Sequence, residues 1–388
     1  MKQKKILRII TTLKNTIGGT ARIAIDQSNE LVKRGFNIDV LTLDRKHYHR
    51  SEKFYFNLIN LETNKNKNIF SITFFIWVIK NWKKYDLFLI DGIWEFSTII
   101  ARIFFRKKYF VFLHGQIDPY FSLEFFKKIK KKIYWYFIEK KNLINSKFVI
   151  LSGNTEKKMF NNTFVDTNNI PYKTINYGIT NFKFVNLKKT KKRINKKYQN
   201  ILDKKYLLFI GRIHPKKGCD VLIKSLDKLD VPDDYYIIFA GFLSNNNSYE
   251  NYILNLIKKS RYANRILCLP FQDRDNKFAL IKFSKCTVLP SRGENFGISV
   301  VETLMMSRVA ILTDKVGIHQ IVKKENSGII TKCNSNSLSK SLEFFFKMSY
   351  KNKARLEKNA KNCYQTKFSI NTTIDDLEKI ILKYFNYS

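Results

Sequence analysis

Two carboxylates and two bases stand in patterns that suit a ligand bearing both hydroxyls and phosphates. Glu294 and Glu302 are separated by seven residues within 290–316 (PSRGENFGISVVETLMMSRVAILTDKV), and Arg212 and Lys217 lie within 211–218 (GRIHPKKG). A carboxylate accepts hydrogen bonds from hydroxyls, a guanidinium grips a phosphate with a fork of donors, and an ammonium acts as a point charge. Each pair also has an ordinary explanation, because acids are common near helix starts and bases are plentiful in this chain.

The elements around these residues favour a site. Residues 286–290 are a short apolar run that reads as a buried strand, 291–297 a polar loop with glycines, 298–307 a helix and 309–313 a second buried strand. In such a βαβ unit the loop lies at the carboxyl end of a parallel strand, where α/β proteins bind ligands. The helix start adds free N–H groups and a positive dipole end that favour phosphate. The same order recurs at 206–226: a strand, the loop with Arg212 and Lys217, and a helix opened by Gly218 with Val221, Leu222, Ile223 and Leu226 as buried positions. Asp273-Arg274-Asp275 has the Asp-x-Asp form of a metal site, but it directly precedes a helix over 276–284 and reads as its cap. No metal or other cofactor is expected.

The first half repeats the strand–helix alternation. Residues 6–11 read as a strand, 20–34 as an amphipathic helix and 36–43 as the next strand, which leaves Gly18 and Gly19 at the first strand-to-helix turn. A plain turn explains two glycines as well as a ligand does. Further strands are expected at 85–90, 109–113 and 147–151, with Asp91-Gly92-Ile93-Trp94 and His114-Gly115-Gln116-Ile117-Asp118 at the ends of the first two. Ser152, Asn154 or Thr155 would cap a helix carrying Glu156. In the second half, 236–241 and 266–271 read as strands, placing Phe271 at a strand end.

A length of 388 residues is long for one core and suggests two domains. The stretch 180–205, dense in Lys and Asn, has the composition of a linker or an exposed helix. The expected organisation is therefore a first domain over 1–180, a linker over 181–205, a second domain over 206–366 and a final amphipathic segment over 367–388. Five scattered cysteines, with no Cys-x-x-Cys, read as reduced core residues of a cytosolic protein. The opening residues are too weakly apolar for a signal peptide, and the most apolar window, 69–79, is about half the length a membrane span needs.

The net charge is +39, from 71 Lys and Arg against 32 Asp and Glu. That balance raises nucleic acid or anionic membrane as partners, although a general lysine bias accounts for part of it. No helix-turn-helix, zinc or RNA-binding signature accompanies the charge, so nucleic acid is not expected. The stretch 127–141 (KKIKKKIYWYFIEKK), where bases interleave with aromatics, suits an anionic membrane surface.

The segment PSRGENFGISVVETL resembles the Glu-x7-Glu region of retaining glycosyltransferases of family 4, and 211–218 resembles the same family's Gly-Arg…Lys-Gly loop. Asp91–Trp94 and His114–Pro119 are similar to loops of a subgroup whose first loop carries a histidine where this chain has Asp91. The resemblance implies a GT-B fold, an α/β architecture of two Rossmann-like β/α/β domains with a cleft between them, in which the final segment, 367–388, rejoins the first domain. It implies transfer of a sugar from a nucleotide-diphosphate sugar (UDP- or GDP-linked) to the hydroxyl of a lipid-linked or saccharide acceptor, with retention at the anomeric carbon. Bacterial surface polysaccharide assembly, on the cytoplasmic face of the membrane, is the setting expected.

By that resemblance Glu294, His114, Arg212 and Lys217 are the catalytic group. Gly18, Gly19, Gly211, Phe271, Asn295, Phe296, Gly297 and Glu302 join Arg212 and Lys217 around the donor, and Trp94 and Asp118 face the acceptor. Ser307 and Val309 depart from a usual small-Gly-x-Pro pattern, and Gln320 stands where a glutamate is usual. Those departures keep open a non-catalytic subunit, and a GT-B sugar-nucleotide epimerase is the other alternative.

Overall fold

The computed structural model describes residues 4–14, 19–44, 54–62, 71–118, 125–162, 165–243 and 248–386. The chain divides into two compact units, Met1–Thr180 with Ser369–Ser388, and Asn181–Phe368.

The first unit is built on seven strands: β1 (Lys5–Ile10), β2 (Asn37–Thr42), β3 (Asn57–Asn60), β4 (Leu87–Asp91), β5 (Tyr109–Phe112), β6 (Phe148–Leu151) and β7 (Tyr172–Thr174). Their order is β3-β2-β1-β4-β5-β6-β7, and every pairing is parallel. Strands of a parallel sheet are covered on both faces, which is why β5 and the first four residues of β4 read as apolar runs, and β1 does so but for Lys5 and the buried Arg8. Alternate residues serve opposite faces. Leu7, Ile9, Phe88 and Ile90 pack with Phe74, Val78, Phe105 and Trp135 from helical segments on one side. Ile6, Ile10, Leu87 and Leu89 pack with Ala24, Ile25 and Leu31 on the other. The chain re-enters this second layer at its end, where Ile374, Leu377 and Ile381 of the helix Ile370–Asn386 join the same core. A Cβ on Gly178 would lie 2.1 Å from Thr373 Oγ1, so glycine permits that approach.

The second unit has six strands: β8 (Lys205–Ile210), β9 (Tyr235–Phe242), β10 (Ile266–Pro270), β11 (Cys286–Leu289), β12 (Val309–Thr313) and β13 (Ile329–Thr331). The order is β10-β9-β8-β11-β12-β13, again parallel throughout. Within the stretch read as a linker or exposed helix, Leu187–Lys197 is a helix, capped by the Asn186 side chain and belonging to this unit. Three short strands, β3, β7 and β13, had no clear signature in the sequence.

Both sheets are doubly wound, with the strand order reversing between β1 and β4 and between β8 and β11. Such switch points leave room for ligands beyond the carboxyl ends of the strands. All five cysteines are free thiols. No helix among the described residues is long and apolar enough to cross a membrane.

Candidate active site

The second unit gathers its chemistry at its switch point. The loop after β8 carries Arg212 and Lys217, and Gly218 (φ 69°) caps the helix Cys219–Leu226. The loop after β11 carries Glu294 and ends at Gly297 (φ 102°), which caps the helix Ile298–Met305. The two loops nearly touch, since a Cβ on Gly218 would fall 2.1 Å from the Pro290 carbonyl oxygen; Gly297 packs as closely on the loop after β12, where its Cβ would fall 2.6 Å from Val316 Cγ1. Glycine is required at both positions for reach as well as for backbone conformation.

Across this junction the Lys217 ammonium donates to the Glu294 carboxylate, with both side chains largely shielded. The Glu294 backbone is fixed independently, its N–H on the Lys315 carbonyl (3.0 Å) and its carbonyl taking the Gly317 N–H (2.9 Å). Glu302 is buried in the helix after the loop, and Lys277 donates to its Oε1. Arg212 is exposed at the lip of the loop. Desolvation, and then the positive field of Arg212, Lys216 and Lys217, lower the His214 ring below its ordinary value. Arg212, Lys216 and Lys217 make the loop locally positive, and an anion placed there would be stabilised.

The structure therefore brings Gly211, Arg212, Lys217, Glu294 and Gly297 onto neighbouring loops at the carboxyl ends of adjacent strands, with Glu302 on the helix that follows the second loop. Asn295 and the buried Phe296 lie between Glu294 and Gly297, with the Phe296 carbonyl taking the Ile318 N–H at 3.2 Å. Phe271 follows β10 directly and is 42% exposed. Asp273 accepts the Asn276 N–H at 2.8 Å and caps the helix Arg274–Phe283. Gln320 is exposed on the helix His319–Lys324.

The first unit carries a second polar cluster at the ends of β1, β4 and β5. His114, which the resemblance places in the catalytic group, has its backbone in the left-handed region (φ 51°). Its side chain is almost wholly buried, with Nε2 2.7 Å from Asp91 Oδ1 and Nδ1 2.6 Å from the Tyr177 hydroxyl. Both ring nitrogens are thus engaged within the first unit. With the proton on Nε2 facing the carboxylate, Nδ1 accepts from Tyr177 and every group is satisfied. Asp91 also takes two bonds from the buried Arg8 guanidinium, at 2.6 and 2.7 Å. Burial pushes the Asp91 carboxyl up, but Arg8 and then His114 outweigh it and hold it down at about 2. Asp91, where the resembled loops have a histidine, is the hinge of this network.

Around it, Trp94 Nε1 donates to the Gln116 carbonyl (3.1 Å), and the Ile93 N–H donates to the Gln116 side-chain oxygen. Asp118 is buried in the turn after His114, its N–H on the Gly115 carbonyl at 3.1 Å. The helix Asn154–Asn161 has Gly153 at its cap rather than a hydroxyl or amide side chain. Its Glu156 instead receives the N–H groups of Ser152 and Gly115 and ties the loop after β6 to the one after β5. Gly19 opens the helix Gly19–Lys33, and Gly18 lies outside the described residues.

Lys277, Arg292, Asp220, Arg8 and Tyr177 were not singled out from the sequence, and Asp91 was marked only as a departure from the resembled loop. Each acts through a partner distant in the chain, so no local spacing marks it.

Two doubly wound parallel sheets, one in each unit, are the architecture of the GT-B class of fold, which solved structures of similar fold share. Residues 190–363, nearly all of the second unit, match the family described as Glycosyl transferases group 1. An uncharacterized glycosyltransferase of Methanocaldococcus jannaschii is 27% identical over 127 residues, 33% of this chain and 32% of that protein. The chain spans about a third of the length of the curated relatives it matches. Among solved structures, sucrose-phosphate synthase from Thermosynechococcus elongatus superposes with a TM-score of 0.80 at 16% identity, covering 100% of both chains. The Anabaena protein HepE in complex with UDP and glucose gives 0.76 at 16% identity, covering 98% of this chain and 100% of that one.

Proposed function

We propose that the protein is a glycosyltransferase that moves a sugar from a nucleotide-diphosphate donor to an acceptor hydroxyl with retention of anomeric configuration. The observation that carries this reading is the Lys217–Glu294 pair, held across two glycine-bearing loops at the switch point of a unit that matches group 1 glycosyltransferases. HepE, a similar fold, is described in complex with UDP and glucose, which favours a uridine or comparable nucleotide as the donor's carrier.

In this reading the bond between the anomeric carbon and the terminal phosphate oxygen breaks, a bond to the acceptor oxygen forms, and the acceptor proton passes to the departing phosphate. The leaving group gains negative charge, so catalysis rests on stabilising it. Arg212 and the helix N-terminus at Gly218 face that charge. Lys217, neutralised by Glu294 in the free protein, transfers its bonds to the diphosphate and releases Glu294 to the sugar hydroxyls. Glu302, oriented by Lys277 on one oxygen, offers the other to the ribose hydroxyls. The arginine and lysine supply positive charge that a divalent metal supplies elsewhere, so no metal is assigned a role. Surface polysaccharide assembly on a lipid-linked or saccharide acceptor is the setting we assign.

Product analysis with a panel of UDP- and GDP-linked sugars, with and without acceptors, tests the reading. A new glycosidic bond that keeps the donor's anomeric configuration is expected. Epimerised donor formed without acceptor, or no product from any donor, would overturn it.

A further inference from the structure

One helical layer of the first unit exposes large apolar side chains in stripes. Ile72, Ile76 and Ile79 on the helix Ile72–Asn81, Ile129 and Ile133 on the helix Phe125–Tyr134, and Phe137 in the segment Trp135–Glu139 that continues it are 42–69% exposed. Positions 72, 76 and 79, like 129, 133 and 137, recur every three or four residues and share one side of their helix. These are not the core-facing sides. Phe74, Val78 and Trp135 are buried in a single cluster against Phe88 and Ile90 of the sheet. The helix Ile72–Asn81 is therefore apolar both inward and outward, a pattern that belongs to helices with an apolar phase on each side.

The exposed charges on these helical segments have one sign, although Asp166, after the helix Asn154–Asn161, pairs with Lys140. Lys80, Lys84, Arg106, Lys128, Lys130 and Lys132 are exposed on it. The stretches 71–85, 96–108 and 128–144 contain a single acid, Glu139, and it is fully buried. Lysine is depleted at the centres of protein interfaces, and nucleic acids stack on aromatic rings rather than on isoleucines. Aliphatic stripes with lysines alone between them suit a surface that is oily below and anionic above.

We propose that this layer is a docking surface for an anionic lipid bilayer, with the isoleucines and Phe137 entering the boundary between headgroups and acyl chains and the lysines among the headgroups. The surface stands on its own residues and does not depend on the glycosyl-transfer reading.

Flotation of the full chain with vesicles of phosphatidylcholine, alone or mixed with phosphatidylglycerol, tests it. Wild-type protein is expected to float with the mixed vesicles and to release as salt rises. Lys128→Glu/Lys130→Glu/Lys132→Glu and, separately, Ile133→Asn/Phe137→Asn are expected to lower that binding about tenfold or more, since each surface base contributes about fivefold. A control on the second unit, Lys224→Glu/Lys258→Glu/Lys259→Glu, changes the net charge equally and is expected to stay within about twofold of wild type. All substituted positions are exposed, so circular dichroism and melting are expected to be unaltered. Absence of flotation, equal loss in the control, or indifference to the apolar substitutions would overturn the proposal. So would a dimer that Ile133→Asn dissociates without any vesicle binding.

Discussion

The Asp220 carboxylate receives both terminal nitrogens of the Arg292 guanidinium, at 2.8 and 2.6 Å, and so fastens the loop after β11 to the helix Cys219–Leu226. The same guanidinium reaches the Pro215 carbonyl (2.8 Å), the Arg292 N–H donates to the Lys216 carbonyl (2.8 Å), and Tyr249 donates to Asp220 (2.8 Å). Lys217 and Glu294 sit on the two segments thus joined. Arg292→Ala is expected to lower stability by about 1–2 kcal/mol, a modest figure because water still reaches part of Arg292. Urea unfolding checks this, and an unchanged midpoint would contradict it. Burial raises the Asp220 carboxyl, but the bonds from Arg292 and Tyr249 outweigh it and hold it below its ordinary value. The stability it contributes is therefore full above the unfolded carboxyl value, near 4, and is lost as pH falls further. That acid-side loss is expected to be shallower in the variant.

Asp91 is the more sensitive position. Asp91→Asn would remove the negative charge facing the fully buried Arg8 and leave it one acceptor oxygen there in place of two, besides Gln27 at 3.0 Å. An uncompensated buried charge costs about 3–5 kcal/mol, and a loss of that order in urea unfolding is expected. Because Asp91 is held down at about 2, wild-type stability from this group is complete above about pH 4 and falls away toward pH 2. His114→Ala is expected to act on stability before chemistry, since its ring is tied to Asp91 and Tyr177. A variant as stable as wild type but inactive would show instead that His114 touches substrate.

Ser307 carries a strained backbone. It ends the helix Ile298–Met305 with φ 56°, its N–H on the Leu304 carbonyl at 2.9 Å, at the position where the resembled pattern has glycine. A left-handed non-glycine residue costs about 1–2 kcal/mol, partly offset in glycine by the greater freedom of the unfolded chain. Ser307→Gly is expected to raise stability by about 0.5–1 kcal/mol, read as a higher melting temperature, with activity unchanged. The departure at Ser307 is thus a backbone cost.

Some of this was legible in the residues alone. Strands β8, β11 and β12 appear as apolar runs of four to six residues ended by glycine, proline or a polar loop, and Val309–Thr313 falls where the apolar run predicts. Asp273 as a cap followed from its place before a helical pattern. By contrast β3 (NLIN) and β7 (YKT) are short and only partly buried or exposed, so no apolar run marks them. Lys277 meets Glu302 across 25 positions, and Arg8 meets Asp91 across 83. Pairings of that kind exist only once parallel strands lie side by side, and spacing in the chain carries no trace of them. The histidine showed the same limit: the sequence marked His114 as chemically interesting, but only its surroundings reveal that both ring nitrogens are engaged.

The charge-based account of catalysis makes its own demand. Arg212→Ala, Lys217→Ala and Glu294→Ala are each expected to lower transfer by about 10² or more, the usual scale for losing one preorganised electrostatic group. Activity in EDTA is expected to match that in its absence. Rates near wild type in two of the three variants, or abolition by EDTA with recovery on adding a divalent metal, would contradict it.

The most direct test of the site is calorimetric titration of UDP and GDP into wild-type protein and Lys217→Ala. Lys217 is proposed to exchange Glu294 for the diphosphate, so wild type is expected to bind at least one of the two nucleotides and the variant to bind it at least about tenfold more weakly. Equal affinity in the two proteins, or no binding of either nucleotide to wild type, would contradict the assignment of this loop as the diphosphate seat.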